Sequence, residues 1–243
     1  MQPTRPLQFG HDDRQEIYQF VEQRGVVEHS EIAVGLDLDP TAIRHHVAIL
    51  KRDGLLEADD GTLRVGLEVG SVEKREADGV PYQIRAARQE DLGGIIGVIR
   101  EVVAAGTYVE AESVAQLIDH EEVLLRFNEH GSRMFFVATV EDDVVGWVHI
   151  AGSTLEKLDH TAKLTTGIIE AYRNHGIGSH LLSRGLEWAS SRGFARVYQS
   201  VPATNERAIA FLESHGWSIE AIREDHYRID GEDIDEVMLA MSL

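Results

Sequence analysis

Cysteine is absent from all 243 residues, which excludes disulfides, thiol nucleophiles and cysteine-bound zinc or iron–sulfur centres. Lysine is nearly absent: Lys51, Lys74, Lys157 and Lys163 are the only four, so arginine supplies most of the 23 basic side chains. Proline is scarce at five residues. No apolar run approaches the roughly 18 residues that span a bilayer, and the N-terminus lacks the order of a secretory signal. No membrane partner is expected, and the expected location is the cytoplasm.

Acid is abundant. Asp plus Glu number 42 against those 23 basic residues, a formal charge of −19. At 43% hydrophobic and 27% charged, the composition is that of a globular protein. An acidic excess with lysine nearly eliminated matches a haloarchaeal type of composition, suited to a cytosol at very high salt. There the screening length falls to about 3 Å at 1 M, and surface carboxylates maintain solubility. An ordinary acidic protein is the plainer alternative.

The chain divides at residues 69–81, a polar stretch with Gly79 and Pro81 and no sustained apolar period, read as a linker. Before it, at 11–68, three short helical patterns precede a hairpin. The first places Ile17, Phe20 and Val21 on one face. The second opens at Ser30 as N-cap and buries Ile32, Ala33 and Leu36. The third starts with Asp39-Pro40, stacks Ile43, Val47 and Leu50, and ends at Gly54 as a left-handed cap. Leu55–Ala58 and Thr62–Val69 then flank Asp59-Asp60-Gly61 as a hairpin.

That order, with its Leu50-x-x-x-Gly54-Leu55-Leu56 exit, resembles a winged helix-turn-helix domain. The resemblance implies a third helix in the major groove, with Thr41, Arg44, His45, Ala48, Lys51 and Arg52 outward. Arg44 suits a guanine edge, Lys51 and Arg52 suit phosphates, and Arg64 would sit on the wing. Residues 11–68 hold 13 acidic and six basic side chains, which offers phosphate little. A protein-docking or dimerising role therefore stands beside DNA binding. His45 and His46 are neighbours on a helix and point apart, so no metal is expected.

Residues 82–243 read as alternating strands and helices. Tyr82–Ala86 is a strand, Glu90-Asp91-Leu92 opens a helix, and a second helix runs from Ser113 to about Phe127. Met134–Val140 and Val144–Ala151 form a hairpin across Glu141-Asp142-Asp143. Lys163–Ile169 is a strand leading into a helix that runs to Arg192 and is capped by Gly193. Arg196–Val201, a helix from Asn205 to His215, and strands at Trp217–Ile222, Asp225–Ile229 and Asp235–Ser242 complete the segment. Between strand and helix stands Arg173-Asn-His-Gly176-Ile-Gly178. Its glycines let backbone approach a ligand while N–H groups converge at the positive end of a helix, a geometry that binds pyrophosphate. It is neither a P-loop nor a dinucleotide fingerprint.

This segment resembles the GNAT N-acetyltransferase superfamily, whose acetyl-CoA motif, R/Q-x-x-G-x-G/A, falls at this junction. Ile84-Arg85-x-Ala87 with Glu90-Asp91-Leu92, Phe136-Val-Ala138 with Val145-Gly-Trp147, and Asn205-Glu-Arg-Ala-Ile-Ala-Phe-Leu-Glu-Ser-His-Gly216-Trp217 extend the match. The implied architecture is a winged helix-turn-helix followed by an α/β (α+β) GNAT fold with a mixed, mostly antiparallel sheet.

The resemblance also implies roles. Thr166, Gly167 and Ile168 would pair with the pantetheine arm like an added strand. Amides of Asn174, His175, Gly176, Ile177, Gly178 and Ser179 would cradle the pyrophosphate, and Arg173 would steady that turn or reach a phosphate. Asn205 would bond the pantetheine or adjacent backbone, cap its helix, or do both. The Ile168 N–H would be the oxyanion donor for direct attack by a primary amine. The family's frequent acid, a tyrosine seven residues after the asparagine, is Leu212 here. A base glutamate found in one branch, five residues before it, is Ser200. Tyr227, His149, Glu170 and Tyr198 are candidate substitutes, with Tyr227 equally readable as a packed aromatic and His149 as a half-buried strand residue. From family anatomy, Tyr108 and Glu110 would shape the acceptor site.

The leading reading is an acetyl-CoA-dependent N-acetyltransferase with a fused targeting domain. Its acceptor would be a small-molecule amine, a lysine side chain or a peptide N-terminus, and DNA and a second copy of the chain are further partners. The alternatives are a regulator that senses acetyl-CoA or an amine with little turnover, and a dimerising interaction module.

Overall fold

Three helices build the N-terminal core. The computed structural model describes residues 9–53, 55–59, 61–66, 72–104, 108–128, 131–153 and 155–243. Helix α1 (Asp12–Arg24) is capped by His11, whose side chain accepts from the Asp13 N–H. After the short strand β1 (Val26–Glu28), α2 spans His29–Leu36. Its cap is Glu28, whose own N–H donates to the Glu31 carboxylate at 2.7 Å. Ser30, expected to cap α2, lies inside the first turn because the reciprocal Glu28–Glu31 pair satisfies more of the end. Helix α3 (Pro40–Arg52) starts as expected, with Asp39 accepting from the Thr41 and Ala42 N–H groups. Those bonds lower the Asp39 pKa.

Strands β2 (Leu56–Asp59) and β3 (Thr62–Val65) complete a small antiparallel sheet in the order β1-β3-β2. Ile17, Val21, Ile32, Ile43, Val47, Leu50, Leu56 and Leu63 fill the space beneath it. Gly54, expected to cap α3, lies outside the described residues, as do Asp60 and the start of the expected linker at 69–71.

The rest of that linker is not a linker. Strand β4 (Glu73–Ala77) turns through Asp78-Gly79, both at positive φ, into β5 (Val80–Ala86), and the two pair over five positions. Its polar sequence fits an edge strand, where little is buried. The remaining elements are α4 (Leu92–Ala104), α5 (Val109–Glu121), β6 (Arg126–Asn128), β7 (Gly131–Val140), β8 (Asp143–Gly152), β9 (Thr161–Ile168), α6 (Ile177–Ser191), β10 (Arg196–Pro202), α7 (Glu206–Ser214), β11 (Ser218–Ile229) and β12 (Glu232–Ser242), with short 3-10 turns at Gln89–Asp91, Glu156–Leu158 and Glu170–Tyr172. Helix α5 begins four residues before the expected Ser113, and Phe127 lies in β6. The two strands expected at 217–222 and 225–229 are one strand with a register shift between Arg223 and Tyr227.

The large sheet has nine strands in the order β11-β12-β10-β9-β8-β7-β5-β4, with β6 also on β7. Every pairing is antiparallel except β9 with β10. Helices α4 and α5 cover one face over Phe135, Val137 and Trp147. Helix α6 covers the other over Phe136, Val148 and Ile150. Among the described residues no helix is long and apolar enough to cross a membrane.

The two domains touch where α1 ends. Gly25, at φ +78°, lies so close to Gln89 that an added Cβ would fall 2.3 Å from its side chain. Beside this contact a crevice of about 240 Å³ runs between the domains, lined by Glu22, Glu57 and Arg64 on one side and Arg85 and Arg88 on the other.

Trp147 is fully buried, and its ring fills the space above Gly167, where an added Cβ would lie 2.3 Å away. Trp147→Ala is expected to cost about 3–5 kcal/mol, read from urea unfolding at fixed salt.

Candidate active site

Strands β9 and β10 pair in parallel over only three positions, Arg196 with Thr161, Val197 with Ala162 and Tyr198 with Lys163. Beyond them the strands part, while β9 stays paired to β8 as far as Ile168 and β10 to β12 as far as Pro202. The inner edge of β9 is therefore open. Ile169 N–H bonds the Val145 carbonyl across β8. By strand alternation the N–H groups of Ile168 and Thr166 face the gap, and the Thr166 N–H donates into it, to Tyr108 Oη at 3.4 Å.

The gap opens into a cleft of about 590 Å³. Val102 and Tyr108 wall it on the α4–α5 face, and Ala208, Phe211 and Leu212 on the α7 face. Its rim is the turn from β9 into α6. Asn174 and Gly176 take positive φ values of 69° and 77°, which turn the backbone so that the N–H groups opening α6 face the cleft. Gly178 lines it too, and a Cβ there would stand 3.6 Å from Ile168 and 3.7 Å from Phe211, filling the floor of the cradle. Arg173 donates from Nε to the Ile168 carbonyl at 2.8 Å, which ties the turn to the end of β9. Arg207 donates to Asn174 Oδ1 at 2.8 Å. His175 Nδ1 lies 2.6 Å from Asp78 in the β4–β5 turn. His215 pairs with Ser179 Oγ at 2.9 Å. Asn205 caps α7, accepting from the Ala208 N–H at 3.2 Å, and also lines the cleft.

Of the expected ligand-binding residues, the cleft brings together Thr166, Gly167, Ile168, Arg173, Asn174, Gly176, Gly178, Ser179 and Asn205. His175 and Ile177 lie in the same turn but do not line the cleft: His175 is held by Asp78 and Ile177 packs into the core.

The expected catalytic side chains fare differently. His149 is a core residue rather than a half-buried one, with its ring 4.5 Å from that of Phe135 and its Nδ1 3.4 Å from Thr165 Oγ1. Burial, then the Arg133 charge, lowers its pKa from 6.5 to about 3, so it is neutral and no acid. Tyr227 does not line the cleft, and its hydroxyl donates to Glu236 at 3.2 Å. Glu170 is exposed, and neither it nor Tyr198 reaches the wall. Leu212 does, presenting an apolar side chain.

Of the two residues expected at an acceptor site, Tyr108 lines this cleft and Glu110 does not. Gln199 was not anticipated. It is 5% exposed, its Nε2 donates to Tyr108 Oη, and among the described residues its buried Oε1 has no partner. No spacing in the chain pairs residues 91 positions apart, and only the β9–β10 gap does so.

In the N-terminal domain Thr41, Arg44, His45, Ala48, Lys51 and Arg52 are all exposed along α3. Arg52 is paired with Asp53 at 2.9 Å, and Arg64 is paired with Glu57 at 3.2 Å in the interdomain crevice. His46, Asp13 and His11 cluster within 4.8 Å. There Arg14 donates to His46 Nδ1 at 3.4 Å, which leaves His46 Nε2 as the protonated nitrogen facing Asp13 at 3.4 Å. The Asp13 N–H also donates to His11 Nδ1 at 3.2 Å, so these contacts tie the three residues together.

Residues 102–217 match the model of the acetyltransferase (GNAT) family. The C-terminal domain is thus similar to the GNAT acetyltransferases. A curated relative in Bacillus subtilis (strain 168), "Putative phosphinothricin acetyltransferase YwnH", is 24% identical over 163 residues, covering 66% of this chain and 98% of that protein. Among solved structures, a GNAT-family acetyltransferase from Streptococcus pneumoniae superposes with a TM-score of 0.57 at 21% identity, over 67% of this chain and 99% of the other. The ribosomal-protein-alanine N-acetyltransferase of Brucella melitensis gives 0.55 at 22%, over 66% and 99%. The structure of yncA from Salmonella typhimurium, described as "a putative acetyltransferase" and solved with its cofactor acetyl-CoA, gives 0.56 at 17%, over 67% and 94%. The shared part matches the C-terminal domain in extent, and the helical N-terminal domain is additional.

Burial of His149 in the core of the large sheet has a pH signature. Above pH 6.5 it is neutral whether the chain is folded or not. Between 6.5 and about 3 the unfolded chain binds a proton that the folded chain refuses, so stability drops as the pH falls. His149→Leu is expected to flatten that acid slope by up to about 1.4 kcal/mol per pH unit, measured by urea unfolding from pH 7 to pH 4.

Proposed function

We propose that the GNAT domain transfers acetyl from acetyl-CoA to a primary amine by direct attack. The observation that carries this reading is the β9–β10 gap ending in the Asn174–Ser179 turn. An extended ligand arm can add to the β9 edge while its phosphates meet the start of α6. The Thr166 and Ile168 N–H groups would serve the arm and the thioester, with Ile168 N–H as the donor to the oxygen that gains charge. The unpartnered Oε1 of Gln199 would accept from an amide of the arm. Arg173, already bonded to the Ile168 carbonyl, would keep the cradle in register with the strand. The uncharged amine attacks the carbonyl carbon, the C–S bond breaks with its pair on sulfur, and the extra proton of the amine passes to water.

Likeness to YwnH supports a small amino-acid-like amine as the first acceptor to try, and the negative charge of the chain favours a cationic one. The N-terminal domain we read as a winged helix that targets the enzyme, with DNA the partner suited to the exposed α3 face of Thr41, Arg44 and Lys51. A second reading rests on Leu212: an apolar wall where an acid would help turnover suits a regulator that binds acetyl-CoA without much chemistry.

Calorimetric titration of acetyl-CoA in about 1 M KCl tests the reading. Wild type is expected to bind, and Gly176→Asp, which sets a carboxylate where the cradle would meet phosphate, is expected to bind at least about tenfold more weakly. Thiol release on adding phosphinothricin or another amine would mark the enzyme. Binding without release from any amine favours the regulator, and no binding removes the acetyl-CoA reading. For the N-terminal domain, Arg44→Ala is expected to cost about 1–3 kcal/mol of affinity for duplexes selected from random sequence in KCl. Failure to retain any duplex would leave protein docking as its role.

A further inference from the structure

His215 caps the C-terminal end of α7 and stands half-buried against Phe211, with ring centroids 4.4 Å apart. Its Nδ1 lies 2.7 Å from the Phe211 carbonyl and 3.1 Å from Ser214 Oγ, and the Ser214 hydroxyl donates to that same carbonyl at 2.7 Å. A carbonyl only accepts, so Nδ1 carries the proton of the neutral ring. Nε2 is then a bare acceptor, and the Ser179 hydroxyl, 2.9 Å away, donates to it. Ser179 belongs to the first turn of α6 and lines the cleft beside Gly176 and Gly178. Its one proton is committed to the histidine. The hydroxyl has only lone pairs left for the cleft, the wrong partner for a phosphate.

We propose that His215 is a positioning residue for the cofactor, which rests on the acetyl-CoA reading. On gaining a second proton its Nε2–H donates to Ser179 Oγ, and the released Ser179 O–H turns to a phosphate oxygen of acetyl-CoA. The heavy atoms keep their places: one proton arrives from solvent and one hydroxyl hydrogen rotates. Phosphate binding and ring protonation therefore favour each other, so acetyl-CoA enters with uptake of a proton and binds more tightly as the pH falls. At high pH the ring is neutral and holds the hydroxyl away from the ligand. The groups that meet the ring, Ser179 from α6 and Phe211 and Ser214 from α7, are uncharged. Among the described residues the charged side chains that line the cleft are Arg173 and Arg207, which stay cationic throughout, whereas histidine changes charge near neutral pH.

Calorimetry of the full-length protein counts the proton. The probe is the S-acetyl form of dephospho-CoA, which keeps the pyrophosphate and lacks the monoester phosphate that would itself titrate near about pH 6. Titrations at pH 7 and fixed KCl are repeated in buffers of different ionisation enthalpy. Wild type is expected to take up at least about 0.3 proton per ligand, and its affinity to rise at least about threefold from pH 8 to pH 6. His215→Gln keeps a hydrogen-bonding side chain that does not titrate, and is expected to lose the uptake and most of the pH dependence. Ser179→Ala keeps the histidine and removes the hydroxyl between it and the ligand, with the same result expected, and it carries the test should His215→Gln fail to fold. Equal uptake in wild type and His215→Gln overturns the proposal, as does uptake that survives in Ser179→Ala or wild type that binds with none. Failure of wild type to bind either acetyl-CoA or its dephospho form overturns instead the reading beneath it.

Discussion

Strands that stop pairing normally leave backbone groups unsatisfied, and a protein tolerates this only where something else will bond them. In this chain β9 and β10 part after three residue pairs, yet each remains locked along its outer edge by a continuous antiparallel ladder. The opening is thus held by two rigid borders rather than by a flexible loop. Tyr108 can enter it only because no cross-strand bond closes it, and the α6 start faces it because β9 runs straight into that turn. Even the fit of Trp147 over Gly167 follows, since β9 must lie flat against β8 to keep its other edge free.

How much of this was legible depends on the range over which each signal acts. The cradle is local: glycine where φ is positive, and a helix start directly after a strand, can be read within eight residues. Asn205 as a cap is equally local. Strand β4 was missed because its sequence, Glu-Lys-Arg-Glu-Ala, has no apolar alternation, and its pairing depends on β5 being next to it. The start of α5 was misplaced because Tyr108 precedes it where a serine or aspartate would be the usual signal. His149 looked chemical in isolation. Its neighbours Phe135 and Thr165 come from the strands on either side, and only the assembled sheet makes it a core residue.

Surface charge follows one pattern in both domains: arginine is matched with acid on the next residue or on the adjacent element. Arg52 with Asp53, Arg64 with Glu57, Arg100 with Asp119 and Arg228 with Asp233 are all such pairs. Exposed pairs of this kind add little stability in dilute buffer. They do shape recognition, because a cation already neutralised next door has less to offer a phosphate. On the outer strand β11 the same mixture of charges, with Glu220, Arg223, Glu224 and Asp225 exposed, discourages pairing with another sheet.

The β4–β5 hairpin blurs the border between the domains. Because β4 is the outermost strand on its side of the large sheet and its turn carries the Asp78 that holds His175, the chain entering from the N-terminal domain is itself part of the wall beside the cradle. Dividing the gene at Pro81 would strip that wall away, bare the β5 edge and release one side of the cradle. A functional module transplanted to another protein would have to begin no later than Val72, so what was joined to the N-terminal helices is a sheet edge as much as a domain.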